Sequence, residues 1–521
     1  MCQHKILITI VTGTVLAVSI IPRDVHAALA HRYSFDGNVN DSVGTANGAI
    51  IDPGAVTAAF AGGQLDLSAN TGEPSNAIGE DAYVDLPNGM ITGIATGGTS
   101  GALSVELWAT VSETHTWQRY VDFGTSNDGE DTSNGGGASG YVYISPNSGR
   151  WTDGLATETH EPNGPADEVG QTGPFPNGVQ VHVVGTYDHN DLSAGPNGTL
   201  KLYRDGALIG ETGIADLLDL RTFADNNNWI GRSQWPDPVF DGLFNELRMY
   251  NHALSASEVA TNSIFGPDVA DPGDVLSLTV NTTTGAVTMS SQAPIAVDLD
   301  FYRISSAASA LSVAGWNSLD SQNYDAIDGP DAGTTAGDSP GEGWDQAGGA
   351  GASQLIEYFL GESGSSIDPG EMLSLGSAFD TSVFGGGNDG DVEFTFGLVG
   401  GLEISGSVTY VSGPGFIAGD FAGDGAVEGA DLSLLLGNWG ADVATVPATW
   451  DGDPPTAPFV DGDDLSRLLG NWGNTAGAGT SVTAVPEPAT GLAALLGAVA
   501  VVVIGGRGWT HSRWHIVLND A

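Results

Sequence analysis

Thr199-Leu200-Lys201-Leu202-Tyr203-Arg204 runs into Asp205-Gly206 and out again through Ala207-Leu208-Ile209-Gly210. Leu200 and Leu202 alternate with Thr199 and Lys201, the period of a strand with one buried face. Asp-Gly between two such runs is a tight hairpin signal, because Gly accepts the positive φ that the turn requires. The same period recurs outward along the chain. Leu103, Val105 and Leu107 alternate with Ser104 and Glu106, and Val179, Val181 and Val183 alternate with Gln180 and His182. Many short strands, Gly-rich turns and no helical stretch of note predict a mainly β chain whose first large unit, residues 31–268, is a β-sandwich.

Particular residues in that unit carry a resemblance. His31-Arg32-Tyr33-Ser34-Phe35-Asp36-Gly37 opens it, with Asp41-Ser42-Val43-Gly44 behind. Trp229-Ile230-Gly231-Arg232-Ser233 follows the hairpin. Phe240-Asp241-Gly242-Leu243-Phe244-Asn245-Glu246-Leu247-Arg248-Met249-Tyr250-Asn251 and Ala253–Val259 close it. This order resembles the laminin-G-like, concanavalin-A-like jelly-roll domains of bacterial surface proteins. The resemblance implies a two-sheet jelly roll that binds a polysaccharide or glycoprotein, often with a calcium ion at the sheet rim. Asp36, Asp41 and Asp122 are candidate hard-oxygen ligands for such an ion. Asp36-Gly37 and Asp41-Ser42 are equally ordinary turn chemistry. Trp117, Tyr120, Trp151 and Trp235 stand in polar, loop-like surroundings, where exposed rings stack on sugars and buried ones are packing.

No catalytic group is identifiable. Laminarinase-type hydrolases of the same fold place Glu-x-Asp-x-Glu on one strand, giving two carboxyls at the spacing a retaining mechanism needs. Here Glu106 stands alone, and Glu246 is followed by Arg248. His-Glu-x-x-His and phosphate-loop patterns are absent from the sequence. The one cysteine, Cys2, lies in a segment expected to be removed.

A second β-sandwich-like unit is expected over residues 273–413. Its alternating runs are Leu276/Leu278/Val280, Val297/Leu299/Phe301, Val392/Phe394/Phe396 and Val408/Tyr410. The Gly/Asp-rich stretch from Gly329 to Gly351 reads as a long loop, and Gly266–Gly273 as a linker. No chemistry is recognisable in this unit, which reads as a spacer.

Residues 417–474 contain a duplication. Asp431 to Gly440 (DLSLLLGNWG) recurs as Asp464 to Gly473 (DLSRLLGNWG). Leu432, Leu435, Leu436 and Trp439, then Leu465, Leu468, Leu469 and Trp472, fall at i, i+3, i+4 and i+7, one apolar face of a short helix. Gly440 and Gly473 stand where a helix C-cap takes the left-handed conformation. Asp420, Asp424, Glu428 and Asp431 precede or open the first helix. Asp420, Asp424 and Asp431 occupy positions 1, 5 and 12 of an EF-hand-type loop, with Gly425 at position 6 and Ala422 where an acid is usual. The second loop is longer and irregular, with Asp451, Asp453, Asp461 and Asp464 around Pro454–Pro458. The pair resembles a type I dockerin, which implies Ca2+ as the bound ion and a cohesin-like protein as partner.

Both ends carry export chemistry. Residues 1–30 have an apolar run, Ile6–Ile21, followed by Val25-His26-Ala27 and Ala28-Leu29-Ala30, the layout of a signal peptide cleaved after Ala27 or Ala30. Residues 485–521 open with Val485-Pro486-Glu487-Pro488, continue through apolar Ala489–Ile504 and meet Arg507 and Arg513. An apolar span followed by basic residues is a C-terminal transmembrane helix with its positive end inside. The three parts in order resemble the PEP-CTERM sorting signal, which implies an exosortase-type processing enzyme and a Gram-negative-type cell envelope. The tail departs from that pattern by continuing through Trp509 and Trp514 to Ala521.

Composition agrees with this organisation. The chain has 521 residues and 14 Lys+Arg against 64 Asp+Glu, a net charge of −50. Such a polyanion does not bind nucleic acid by neutralising phosphates. It suits salt or divalent cations, which screen self-repulsion. Taken together, the sequence predicts an exported, envelope-anchored binding protein. Two rival readings stand beside it: a glycoside hydrolase or accessory subunit, by fold analogy, and a purely structural matrix component.

Overall fold

The computed structural model describes residues 29–54, 57–97, 101–151, 154–173, 175–325, 343–383, 390–411 and 429–440, together with Val460, Leu465, Leu468, Leu469 and Trp472. The first unit is built from β1 (Leu29–Tyr33), β2 (Ala49–Ile51), β3 (Ala59–Ala61), β4 (Gln64–Asp66), β5 (Tyr83–Leu86), α1 (Met90–Thr96), β6 (Ala102–Val111), β7 (Val121–Thr125), β8 (Gly140–Ser148), β9 (Gly154–His160), β10 (Ala166–Gly170), β11 (Gln180–Asp188), β12 (Thr199–Arg204), β13 (Ala207–Gly213), β14 (Asn227–Ile230), β15 (Gly242–Tyr250) and α2 (Ala256–Phe265).

Two antiparallel sheets result. One runs β13-β12-β11-β6-β15-β4-β3, with β1 also on β15; the other runs β10-β9-β8-β7-β14-β5-β2. The predicted hairpin joins β12 to β13, with Asp205 at φ 50 and Gly206 at φ 84, the two positive values of a primed turn. Between the sheets lies one core, to which Leu103, Val105, Leu107, Val181, Val183, Leu200 and Leu202 contribute from one side and Val84, Val121, Phe123, Val142, Ile144 and Ile230 from the other. Val179 departs from its predicted place: it precedes β11 and is 53% exposed.

The polar positions of the alternation are not on a wet face, as a half-buried strand would have them. Ser104, Glu106 and His182 are buried, because α2 lies across that side of the eight-stranded sheet. This helix was not expected from the sequence, although Ser255 and Glu258 form a capping box at its start. Beneath it Glu106 Oε1 lies 2.9 Å from His182 Nε2, and Oε2 accepts from Tyr250 Oη at 2.6 Å. Asn262 of α2 donates to both oxygens at 3.0 and 3.1 Å. Arg248 Nη1 is 3.5 Å away and donates through Nε to Glu246 at 2.8 Å; Glu246 also pairs with Arg32. Burial pushes the Glu106 carboxyl up, but His182, Arg248 and Tyr250 together hold it below its ordinary value. The two glutamates weighed as possible glycosidase carboxyls are therefore members of a buried ion network.

The second unit comprises β16 (Leu276–Asn281), β17 (Val287–Ser291), β18 (Val297–Ser306), β19 (Trp344–Gln346), β20 (Gln354–Phe359), β21 (Ser365–Ile367), β22 (Met372–Ser374), β23 (Val392–Leu398) and β24 (Leu402–Val411). The first half of β24 pairs with β23, and its second half pairs in parallel with β16. It thereby links the two layers β19-β20-β18-β23 and β16-β17-β22 around a core that contains Leu278, Val280, Leu299, Ile304, Phe394 and Phe396. Gly406 sits at the crossing, where a Cβ would lie 2.4 Å from the Leu276 carbonyl. The stretch read as a continuous loop contains β19, whose Trp344 is buried. Helix α2 serves both units: Val259 packs with Val184 and Tyr250, while Ala260, Ile264 and Phe265 join the second core.

In the duplicated segment, α3 (Gly429–Gly437) forms where the apolar period placed a helix, and Gly440 has φ 80. Among the described residues no helix is long and apolar enough to cross a membrane; Ala489–Ile504 lies outside them.

Glu106→Gln removes the charge that Arg248 and His182 are built around. Breaking one side of a buried pair costs about 3 kcal/mol, so the guanidinium midpoint of the first unit is expected to fall by that equivalent. An unchanged midpoint contradicts the network.

Candidate functional site

Strand register places one residue row across the outward face of the seven-stranded sheet. Asp85 opposes Trp229, Trp229 opposes Asp122, Asp122 opposes Tyr143, Tyr143 opposes Glu158, and Glu158 opposes Glu168. Their chain neighbours Val84, Ile230, Val121, Phe123, Val142 and Ile144 point into the core, so the row points away from it. Acids and aromatics alternate from Asp85 to Glu158, and an arginine covers each aromatic. The Arg232 guanidinium carbon is 4.1 Å from the Trp229 ring centre, and that of Arg119 is 3.7 Å from the Tyr143 ring centre.

One half of this face is roofed. Arg232 donates to Ser133 Oγ (2.9 Å), the Asp131 carbonyl (3.0 Å) and Tyr83 Oη (2.6 Å). Gln234 and Asn227 tie the same segments together. The segments around 131–133 and 231–237 thus lie over β14 and β5.

The other half, over β7, β8, β9 and β10, has partly exposed groups at its edge. Trp117 and Trp235 are half-buried, and the Arg150 side chain is 49% exposed. Trp235 Nε1 donates to Tyr141 Oη at 3.0 Å, and its ring lies against Gly135, where a Cβ would overlap it. Trp117 lies against Gly149 in the same way, at 3.0 Å, with Arg119 and Arg150 beside its ring. The rings are held in place by backbone that has no side chain to offer.

Between them lies a buried set of ion pairs. Arg150 donates to Glu158 Oε2 at 2.7 Å, and Tyr143 Oη donates to Glu168 at 2.7 Å. Arg119 reaches Asp122 and Asp237, both at 3.4 Å. Burial pushes the Asp122 carboxyl up to about 7 against the pull of Arg119 and the Gln234 amide. Glu158 is also pushed up to about 7, by burial opposed by Arg150 and reinforced by Glu168. Asp85 rises to about 6 through burial and the nearby Asp131. Asp122 and Glu158 stand two strands apart, about 10 Å between backbones. Each is engaged by an arginine and buried, so the network anchors the rim, where Arg150 and the two indoles are the accessible groups.

The expected candidates separate on this structure. Asp36 is exposed in a turn. Asp41 accepts from the backbone amides of Arg32, Val43, Gly44 and Ala46 and lies 2.6 Å from His31 Nδ1. Burial raises its carboxyl, but these bonds lower it to about 2, so Asp41 is turn chemistry. Asp122 is a mid-strand residue of β7 on the other sheet, so the three acids do not form one cluster. Tyr120 is not a surface ring: it is fully buried against Phe175, Phe240 and Phe244. Trp151 is half-buried near Gly170. Of the eight acids assigned to calcium, Asp431 is buried in the first turn of α3; Asp420, Asp424, Glu428, Asp451, Asp453, Asp461 and Asp464 lie outside the described residues. Arg119, Tyr143, Arg150 and Glu158 were not singled out from the sequence. The alternation of Tyr141, Tyr143 and Ser145 with Val142 and Ile144 was the available signal.

Residues 78–260 match the family described as the concanavalin A-like lectin/glucanases superfamily, Laminin_G_3. No curated protein matches the chain. Similar solved structures include domain 4 of AbnA, a GH43 extracellular arabinanase from Geobacillus stearothermophilus, in complex with arabinotriose (22% identity, 45% of this chain, 97% of that chain, TM-score 0.33). Another is the CBM40 of the Ruminococcus gnavus IT-sialidase bound to α2,3-sialyllactose (14%, 34%, 94%, 0.26). A third is Trypanosoma rangeli sialidase (16% identity, 45% of this chain, TM-score 0.29), of which the chain covers 32%.

The raised carboxyls set a pH dependence. A folded-state pKa above the unfolded value means the native state binds more protons, so its stability falls as pH rises through that interval. For Glu158 the interval runs from about 4.5 to about 7. Glu158→Gln is expected to flatten the decline in melting temperature between those pH values relative to the parent. Parallel curves in scanning calorimetry count against the assignment.

Proposed function

We propose that the chain is an exported, envelope-held binding protein whose first β unit takes a neutral glycan, free or carried on a glycoprotein. The ligand lies over the rim of the seven-stranded sheet where Trp117, Arg150 and Trp235 are accessible. The observation that carries this reading is the pair of immobilised, half-exposed indoles, Trp117 and Trp235, flanking the floor of paired charges. An indole face offers apolar area to the C–H face of a sugar, and fixed polar groups beside it offer hydrogen bonds to hydroxyls. The family matched over residues 78–260 is of the same fold class. A neutral ligand is favoured because a chain at −50 repels polyanions, and the arginines of this face already have carboxylate partners.

The remaining parts are proposed on sequence. Residues 1–30 export the chain, and residues 485–521 hold it at the envelope until an exosortase-type enzyme acts. Strand β1 begins at Leu29, which pairs with Tyr250, and this favours cleavage at Ala27 over Ala30. The repeat at 417–474 binds Ca2+ and a cohesin-like partner. A helix at its expected place and Asp431 buried in that helix's first turn support the calcium reading.

Trp117→Ala is expected to weaken binding to a neutral polysaccharide by about 30-fold, the ~2 kcal/mol of a truncated aromatic anchor. Affinity electrophoresis on a panel of neutral glycans, with circular dichroism to verify the fold, measures it. Parent protein that migrates unretarded on every glycan rules the reading out. For the repeat, Ca2+ is expected to protect residues 417–474 of the full chain from limited proteolysis, and Asp424→Asn to remove that protection. Cleavage indifferent to calcium refutes the calcium role.

A further inference from the structure

Glu113, His115 and Asp241 bring one ligand atom each to within 4.8 Å of one another. They come from two segments fastened at the same end of a ladder. Val111 pairs with Gly242 at the last rung between β6 and β15, and the Ser112 amide donates to the Asp241 carbonyl at 3.0 Å. The cluster is therefore fixed by sheet register. Its three members differ in a useful way: Glu113 is exposed, His115 is half-buried, and Asp241 is only 7% exposed.

Asp241 supplies the decisive observation. Its Oδ1 is closed to water and has no hydrogen-bond partner. Leaving a carboxylate oxygen buried and unmatched is costly, and folded proteins rarely tolerate it without a counter-group. The neighbouring Asp81 shows the contrast, because its oxygens accept from the Thr71 amide and hydroxyl and from the Glu73 amide. His115 is positioned from a third side: at Gly72, with φ 74, a Cβ would sit 2.8 Å from Nε2, so the imidazole lies directly on bare backbone.

We propose that Glu113, His115 and Asp241 form a binding site for a divalent metal of the zinc class. The donor set decides the class. One imidazole nitrogen and two carboxylates make the three-ligand, N/O set that zinc accepts with a fourth position left to water. Calcium takes six to eight oxygen ligands, so an imidazole in the set favours zinc over it. A tetrahedron with bonds of about 2.1 Å has edges of about 3.4 Å. The 4.8 Å spread therefore has to close by about 1.4 Å, a movement within reach of the exposed Glu113 side chain. The metal would tie the segment between β6 and β7 to the residue that leads into β15. This site uses no residue of the acidic repeat and none of the residues named at the glycan-binding face, although His115 stands two residues from Trp117.

The test uses the full-length protein stripped with a chelator and held in excess Ca2+, so that oxygen-only sites are filled. Zinc is titrated in competition with a chromophoric chelator. The expected result is one tight equivalent. His115→Ala and Glu113→Gln, both outside the core, each lower its affinity by about 100-fold or more, since even an outer partner of a metal ligand is worth 10–100-fold. Co2+ in place of zinc gives visible d–d bands that shift in His115→Ala, a readout that a merely structural histidine would not change. Zinc retention equal in parent and His115→Ala overturns the site, as does the absence of a tight equivalent.

Discussion

Both sheets of the first unit carry charge on the face turned away from the core, and on each face the central carboxylates are shut off from water. Glu106 on the eight-stranded sheet and Asp122 on the seven-stranded sheet are fully buried. An ion in that position is tolerated only when it is paired and hydrogen-bonded. The chain has few cations to do this with, 14 Lys+Arg in 521 residues. Arg32, Arg248, Arg119, Arg150 and Arg232 are all committed to these two faces. Arginine suits the task better than lysine. Its planar guanidinium covers a ring with its face and donates from its edge, as Arg119 does over Tyr143 and Arg232 over Trp229.

This constraint decides which face remains for a ligand. On the eight-stranded sheet, Asn262 comes down from α2 to complete Glu106, and the opposite side of α2 joins the second core. Arg248 also donates to the carbonyls of Gly266 and Pro267, at 3.4 and 2.5 Å, just beyond the helix. The part of that face beneath α2 is closed by the protein itself, with a pocket lined by Thr186, Lys201 and Tyr203 left beside it. On the seven-stranded sheet Asp122, Tyr143 and Glu158 are buried too, but the arginine beside Glu158 stays half in solvent next to the half-buried Trp117. On this sheet the accessible charge next to half-buried indoles is Arg150, beside Trp117.

Residues that point inward were legible in the sequence, because period-two alternation is a direct consequence of strand geometry. Leu200 and Leu202, Leu278 and Val280, Phe394 and Phe396 all reach a core as expected. Asp205-Gly206 was legible because a primed turn demands positive φ. The outward faces were not. Whether Glu106 meets water depends on a helix more than 150 residues away in sequence, and Asp122 is buried by a segment near Gln234. Tyr120 failed for a related reason. Its polar neighbours Gln118 and Arg119 suggest a loop, yet both are themselves buried at the entrance to β7. Asp241 was read as part of a motif that closes a jelly roll; only the fold brings Glu113 and His115 to it.

The electrostatics of the proposed binding face follow from the same burial. Asp122 and Glu158, both pushed up to about 7, are partly protonated near neutral pH. The face is then less negative than its count of acids implies, and its arginines remain charged. A nearly neutral floor inside a strongly anionic protein neither attracts counter-ions strongly nor repels a neutral sugar. Because Trp117 and Trp235 rest on Gly149 and Gly135, little side-chain freedom remains to be lost when a ligand stacks there. Rings fixed in advance over a charge-balanced floor favour selection by shape, which is what a stereochemically uniform, uncharged polymer can offer.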